Sequence, residues 1–208
     1  MNKLKQHYFN FILCFYIFGC DKSPELIFSK AKDEYNKGNY HQAYISFNKI
    51  VNNYDDWERL NEAKEFVENY PMKLFSRAEN LRNEKKYNLS IEALSYIVQN
   101  YRQSEFAPKS KYLMGTIYSN DLSNNLEAIP QYKYVVDNFP GTKEEPHAQF
   151  MIGYIYANVI KDTVQALLHY NIFLEKYSEH ELTPSVKFEI DWLGKDINDI
   201  PTLKHISS

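Results

Sequence analysis

Residues 115–139 read GTIYSNDLSNNLEAIPQYKYVVDNF, and residues 153–177 read GYIYANVIKDTVQALLHYNIFLEKY. The stretches begin 38 residues apart and share a glycine, an aromatic residue three positions later, and then Ala-x3-Tyr. The apolar residues in the second half of the first stretch are Ala128, Tyr132, Val135, Val136 and Phe139. Intervals of 4, 3, 1 and 3 positions place these side chains on one face of a helix and do not fit a strand.

The same pattern occurs twice earlier in the chain, from Tyr40 to Tyr54 and, 47 residues later, from Tyr87 to Tyr101. A second amphipathic segment precedes each of the four copies. Its members are Phe28, Ala31 and Tyr35; Phe75, Ala78 and Leu81; Tyr112, Gly115 and Tyr118; and Phe150, Gly153 and Tyr156. Each copy therefore predicts two amphipathic helices, with a small residue where a neighbouring helix must approach closely.

Local signals agree with helix boundaries at several positions. Ser23 before Pro24 and Ser104 ahead of Pro108 are typical helix starts, and Thr142-x-x-Glu145 predicts a capping box. We interpret the pairs Asp55-Asp56 and Glu144-Glu145 as helix caps, because the positive end of the helix dipole favours carboxylates there.

Two segments fall outside the repeating pattern. Residues 57–70 account for the longer first interval and form either an inserted helix or an extension of the helix after Pro71. Thr183 and Pro184 start a helix that ends near Gly194 and covers the last apolar surface of a repeat array. The tail, residues 196–208, is expected to be poorly ordered.

These motifs resemble the tetratricopeptide repeat family, whose unit is a helix–turn–helix of about 34 residues. The family pattern is matched by Gly115-x2-Tyr118 with Ala128-x3-Tyr132, and by Gly153-x2-Tyr156 with Ala166-x3-Tyr170. The family's first-helix tryptophan is absent, and its closing proline is present only as Pro140.

The resemblance implies an all-α, right-handed superhelical solenoid of antiparallel helix pairs over residues 24–195. It would contain about four repeats, an inserted helix and a C-terminal capping helix. A non-repeating helical bundle with accidental periodicity is the competing interpretation.

Composition excludes several classes of protein. The chain has 208 residues with only 6 Gly, 8 Pro and 2 Cys, so it is not collagen-like, low-complexity or disulfide-stapled. Lys and Arg number 24 against 27 Asp and Glu, for a net charge of -3, and nucleic-acid binding needs a concentrated basic face. We therefore expect no nucleic-acid partner.

The first residues have the form of a secretion signal. Lys3 and Lys5 precede an apolar run from Tyr8 to Phe18 that is too short to span a bilayer. Ile17-Phe18-Gly19-Cys20 resembles the lipobox of bacterial lipoproteins, although Phe18 departs from the family's preference for a small or β-branched residue. The resemblance implies a signal peptide over residues 1–19 and a lipidated N-terminus over residues 20–23, with Cys20 acylated.

An ordinary secretory signal and an uncleaved anchor are the alternatives to lipidation. The expected location is a bacterial membrane, on the side that faces the periplasm. Asp21 resembles the inner-membrane retention signal of enteric bacteria, but many lineages do not follow that rule, and we favour the outer membrane.

Catalytic motifs are missing from the sequence. It contains no glycine-rich phosphate loop, H-E-x-x-H, G-x-S-x-G or C-x-x-C, and its 6 histidines are dispersed. We expect no enzymatic activity, no cofactor, no metal site and no small-molecule substrate.

Partner binding is the function that such an array offers, because a solenoid presents a concave surface to an extended peptide or helix. Four asparagines occupy equivalent positions near the ends of the first helices: Asn36, Asn83, Asn120 and Asn158. They either cap the helices in the left-handed conformation, which we favour, or form a ladder that hydrogen-bonds a partner's backbone. The candidate aromatic contacts are Tyr112, Phe150 and Tyr154.

A lipid tether joined to a repeat array predicts a membrane-anchored scaffold that binds envelope proteins or peptides. This combination resembles repeat lipoproteins of outer-membrane β-barrel assembly, of the Tol-Pal system, and the pilotins of secretion systems. The alternatives are an accessory lipoprotein of a secretion system or of the cell wall, a structural element of a secretion apparatus, and an enzyme acting on cell-wall glycan.

Overall fold

A computed structural model describes residues 23–195 of the chain. The predictions for the signal peptide over residues 1–19, for Cys20 and for the tail over residues 196–208 lie outside the described residues. Within residues 23–195, no helix is both long and apolar enough to cross a membrane.

The described chain folds as antiparallel helix pairs. The first helices of the four pairs are α1 (Pro24–Lys37), α4 (Tyr70–Asn83), α6 (Phe106–Thr116) and α8 (Glu144–Tyr154). The second helices are α2 (Tyr40–Asn53), α5 (Tyr87–Asn100), α7 (Asn125–Asn138) and α9 (Thr163–Lys176). Two further helices are α3 (Leu60–Glu68) and α10 (Thr183–Asp191). Between Ser23 and Lys195 there is no strand, and the prediction of an all-α solenoid of helix pairs is confirmed.

The core follows the apolar face that the sequence repeats. In α2 the side chains of Ala43, Phe47 and Ile50 are buried, and each later second helix buries the residues at the same positions. Each second helix packs against the first helix of its own pair and against the next helix along the chain. Burial is therefore shared between neighbours, as expected of a solenoid.

Small residues in the first helices allow close approach of the second helices. A Cβ atom added to Gly115 would lie 2.6 Å from a ring carbon of Tyr132, and one added to Gly153 would lie 2.6 Å from a ring carbon of Tyr170. Where the first two pairs carry alanine at this position, Ala31 and Ala78, the residues at the tyrosine positions are Phe47 and Leu94.

Residues 57–70, predicted as either an inserted helix or an extension of the next one, contain a separate helix, α3. Asn69 separates α3 from α4 and is the N-cap residue of α4. Pro71, the second residue of α4, has no N–H with which to continue the hydrogen bonds of α3. Phe66 of α3 stacks on Phe47 of α2, with ring centroids 4.1 Å apart, so α3 covers the second helix that precedes it.

The turn inside each pair uses a left-handed residue two positions before the second helix begins. These residues are Gly38 (φ 90°), Lys85 (φ 60°), Ser123 (φ 51°) and Lys161 (φ 64°). In the third and fourth pairs the first helix also continues through a π-helical turn, at Ile117–Asp121 and Ile155–Ile160.

Helix starts agree with the sequence in part. The Ser23 side chain accepts a hydrogen bond from the Leu26 N–H at 3.3 Å, as predicted. The capping box at Thr142 is wrong, because the Thr142 hydroxyl donates to the Phe139 carbonyl at 2.8 Å instead of accepting from the helix.

Glu145 is also not a surface cap. Its carboxylate is almost fully buried, accepts the Gly141 N–H at 2.6 Å and pairs with Lys176 of α9. Burial opposes ionisation of this carboxyl group, but the hydrogen bonds from Lys176 and Gly141 outweigh it and lower its pKa. Glu145 therefore joins the start of α8 to the end of α9.

Candidate functional site

A groove runs along the exposed side of α4 and encloses about 850 Å³. It lies between the C-terminal end of α1, the end of α3 and the turn that follows α4. Its lining includes Tyr35, Asn36, Lys73, Ser76, Arg77, Asn80, Asn83, Glu84 and Lys86. Among the described residues that line it, three are cationic and one is anionic, so the groove favours a negatively charged group.

Arg77 is the central cation of this groove. Its Nη2 donates to the Asn36 backbone carbonyl at 2.5 Å, and its guanidinium carbon lies 5.3 Å from the centre of the Tyr35 ring. Its Nε is buried and has no hydrogen-bond acceptor within residues 23–195. Because Arg77 lines the groove, a carboxylate bound there would be attracted by its positive charge, and charge-assisted hydrogen bonds to a guanidinium are stronger than neutral ones.

The two lysines of the groove pair with carboxylates near its edge. Lys73 Nζ lies 3.0 Å from Glu65, and Lys86 Nζ lies 2.7 Å from Glu84. Three of these four side chains are more than half exposed, and exposed pairs contribute at most about 1 kcal/mol. A partner's carboxylate can therefore replace them at little cost.

Tyr35 forms part of the wall behind Arg77. Its hydroxyl donates to the Lys73 backbone carbonyl at 2.7 Å. Burial raises the pKa of Tyr35 far above its usual value, against the opposing charge of Arg77. The phenol therefore stays neutral and fixes the distance between α1 and α4 at all ordinary pH values.

Two of the four predicted asparagines lie in this groove, and two do not. Asn36 and Asn83 line it and are exposed. Asn120 is exposed in the π-helical turn after α6, and the Asn158 amide donates to Glu189 of α10 at 3.0 Å. The structure therefore brings one pair together and assigns Asn158 to the closing helix.

The preferred interpretation of these asparagines as left-handed caps is wrong. None of them has a positive φ angle, and the left-handed residues follow two or three positions later, such as Gly38 after Asn36 and Lys161 after Asn158. Asn36 and Asn83 lie in the last turns of α1 and α4, whereas Asn120 and Asn158 lie within the π-helical turns that follow α6 and α8.

The three predicted aromatic contacts lie elsewhere along the array. Tyr112 is half-buried, with its ring centroid 5.4 Å from that of Tyr132, and burial raises its pKa. Phe150 packs against Tyr154 at 6.1 Å and Tyr170 at 6.2 Å. Tyr154 is 39% exposed, so it offers the most surface of the three to a partner.

Sequence reasoning missed Lys73, Ser76, Arg77 and Asn80. Their positions on α4, at successive intervals of three, one and three, form a polar stripe on one helix face, and that spacing could have identified them. Asn83 continues the same stripe.

A histidine cluster at the other end of the array was also missed. His147 Nε2 lies 3.9 Å from Glu181, and the rings of His147 and His180 meet edge to face at 5.2 Å. The Nδ1 atom of His180 accepts the Leu182 N–H at 3.2 Å, so the other nitrogen carries the proton when this ring is neutral. His147, His180 and Glu181 each place a potential ligand atom within 4.8 Å of the others, with both histidines half-buried and Glu181 exposed. Three such groups alone do not define a metal site.

Comparison with known families agrees with the fold. A family model described as Tetratricopeptide repeat matches residues 147–180, which include most of α8, the π-helical turn after it and all of α9. No curated protein matches the chain significantly. The matched repeat and the repeated antiparallel helix pairs together support a tetratricopeptide-repeat protein, a fold that typically mediates protein–protein interactions.

Proposed function

We propose that this protein is an interaction scaffold that binds an extended, acidic segment of a partner protein in the groove along α4. The observation that carries the proposal is the position of Arg77 in the groove, where Lys73 and Lys86 also line the wall and Glu84 is the one acidic residue among the described lining residues. Carboxylates of the bound segment would pair with Arg77 and Lys73.

The polar side chains around Arg77 suit a peptide backbone. Asn36, Asn80 and Asn83 carry amides that both donate and accept hydrogen bonds, as an extended main chain requires. In this proposal Asn36, Asn83 and Asn80 form the ladder of amides that hydrogen-bonds the partner's backbone.

Photo-crosslinking in cells tests the groove. Benzoylphenylalanine replaces Ser76, which lines the groove, and crosslinked proteins are identified by mass spectrometry. Adding Arg77→Gln should lower the crosslink yield about tenfold, because a hydrogen bond between charged groups contributes about 1.5–3 kcal/mol.

Arg102→Gln is the matched control. Arg102 lies outside the groove and donates to Asn138 at 2.7 Å, so its loss should leave the yield unchanged. Equal yields with Arg77→Gln and Arg102→Gln, or crosslinks that lack acidic segments, would refute binding in this groove.

We further propose that acylated Cys20 tethers the scaffold to a bacterial membrane facing the periplasm, with the outer membrane favoured. The lipobox-like residues 17–20 support this arrangement. Cys20→Ser should move the protein from the membrane to the soluble fraction, whereas Cys14→Ser, within the apolar run, should not. Membrane retention of the Cys20→Ser protein would contradict acylation.

The partner determines which envelope process the scaffold serves. Crosslinks to β-barrel assembly components would support outer-membrane protein assembly, whereas a secretin, Tol-Pal or cell-wall proteins would support the accessory roles. An enzyme acting on glycan is not favoured, because the groove offers one carboxylate, Glu84, among its described lining residues. Glycoside hydrolysis requires a pair.

A further inference from the structure

The groove along α4 has an apolar end as well as cationic side chains. Phe66, near the end of the inserted helix α3, and Met72, in the first turn of α4, both line it. Met72 is 42% exposed, and Phe66 is half-buried. Lys73 follows Met72 directly in the sequence, and Arg77 lies about one helical turn further along α4. An occupant of the groove therefore meets apolar surface at one end and positive charge beside it.

The fold does not require an apolar residue at the position of Met72. When the four first helices are aligned on the small residue that contacts the second helix, the other three carry charged or polar side chains there: Glu25, Lys109 and His147. Methionine at this position is therefore not needed for packing between repeats. Its flexible, polarisable side chain suits an apolar contact with a partner.

The inserted helix supplies the rest of this apolar surface. Residues 57–70 are an addition to the repeating unit, so the later pairs have no residue that corresponds to Phe66. Its ring stacks on that of Phe47, with centroids 4.1 Å apart, and meets the ring of Tyr35 at 5.1 Å. These two contacts fix the Phe66 ring as part of the groove wall.

Tyr35 connects the apolar end of the groove to the central cation. Its ring contacts Phe66 and also lies 5.3 Å from the guanidinium carbon of Arg77. The ammonium group of Lys73 lies 5.3 Å from the centre of the Phe66 ring and 3.0 Å from the carboxylate of Glu65. A partner's carboxylate that replaces Glu65 at Lys73 would thus lie next to the Phe66 ring.

The spacing along α4 matches that of an extended peptide. Met72 and Arg77 are five residues apart, which is about 7.5 Å along the axis of a helix. Side chains on the same side of an extended segment are two residues apart, which is about 6.6 Å. Two side chains at positions i and i+2 of a bound segment can therefore meet Met72 and Arg77 together.

We propose that the partner segment carries an aromatic or large aliphatic side chain two positions from the carboxylate that pairs with Arg77, and that this side chain docks on Phe66 and Met72. This inference rests on the proposed function, because it specifies the sequence that the groove along α4 selects. The inserted helix α3 thereby distinguishes this segment from other acidic chains, which the cations alone would bind equally.

Fluorescence anisotropy with synthetic peptides and the purified full-length chain tests this preference. The probe is a labelled peptide, Ser-Asp-Ser-Phe-Ser-Asp-Ser, in which phenylalanine lies two positions from an aspartate in either direction. A second peptide has serine in place of phenylalanine. We expect the phenylalanine peptide to bind about tenfold more tightly, because it buries an aromatic ring at the apolar end of the groove.

Met72→Gln should reduce this preference to about threefold or less, because it removes part of the apolar contact. Leu89→Gln is the matched control. Leu89 is also 42% exposed, but it belongs to α5 and lies outside the groove, so its replacement should leave the preference unchanged. Equal preferences in the two variants would exclude docking on Met72.

Two further results would overturn the inference, and they differ in what they imply for the groove. If both peptides bind with equal affinity and Arg77→Gln weakens both, the groove binds acidic segments without an apolar preference. If neither peptide binds, or if Arg77→Gln leaves their affinities unchanged, the proposed function is refuted as well.

Discussion

Gly115 and Gly153 each lie against the ring of a tyrosine from the second helix of the same pair, at a distance that excludes any side chain. At the same positions the first pair has Ala31 and Phe47, and the second pair has Ala78 and Leu94. The size of the residue in the first helix therefore matches the size of its partner in the second, and this match sets the spacing between helices.

Gly115→Ala tests this match. The added Cβ would meet the Tyr132 ring, so we expect a loss of about 1–2 kcal/mol in the free energy of unfolding, although alanine favours helix by about 1 kcal/mol. Combining it with Tyr132→Leu reproduces the Ala78–Leu94 pair. A double-mutant cycle in urea should give a favourable coupling of about 1 kcal/mol; additive effects would contradict the contact.

The Glu145 carboxylate makes stability depend on pH. Its folded-state pKa lies below the ordinary value of 4.5, so its contribution is present above pH 4.5 and is lost as the pH falls through the folded-state value. Glu145→Gln should cost about 1–3 kcal/mol at neutral pH and flatten the fall in stability below pH 4.5. Glu144→Gln, one position earlier, is the control. In thermal melts from pH 7 to pH 3, equal dependence of the melting temperature on pH for the two variants would show that the Glu145–Lys176 pair contributes nothing.

At the scale of elements, each pair turns through a left-handed residue, and only the first pair uses glycine, at Gly38. The later pairs place Lys85, Ser123 and Lys161 in a conformation that disfavours residues with a Cβ by about 1–2 kcal/mol. These turns retain strain that the packing of the two helices overcomes.

Lys161→Gly should therefore stabilise the fold, by up to about 1 kcal/mol after the extra entropy of glycine in the unfolded chain is subtracted. Lys133→Gly, on the exposed face of α7, should destabilise it by about 1 kcal/mol, because glycine lowers helix propensity there. Denaturant midpoints of the two variants should move in opposite directions. Two shifts of the same sign would contradict a left-handed turn at Lys161.

The second helices could be predicted from the sequence because their apolar period is local and repeats. Contacts between residues that lie far apart in the sequence could not be predicted in this way. Arg77 meets the carbonyl of Asn36 across 41 residues, and Glu145 meets Lys176 across 31 residues. Neither contact leaves a local pattern, so the sequence predicts a cap at Glu145 and does not single out Arg77.

The whole molecule is a stack in which each helix pair contacts its neighbours, and its two ends differ. The partner groove along α4 lies near the first pair, where α3 lengthens the stack. At the other end the short helix α10 packs on α9, and Val164, Leu167 and Leu168 of α9 are exposed within the described residues. The third and fourth pairs have first helices of 11 residues, second helices of 14 residues and a π-helical turn between them, so one 38-residue period is removable.

Deleting one period, the 38 residues from Asn124 to Lys161, tests this account most directly. The deletion joins Ser123 to Asp162, so that α9 follows α6 and Tyr170 takes the place of Tyr132 against Gly115. We predict a helical protein, one repeat shorter, that unfolds cooperatively at a lower temperature when followed by circular dichroism. A chain that loses its helical signal or unfolds without a cooperative transition would show that the helices form one non-repeating core, and would contradict the solenoid.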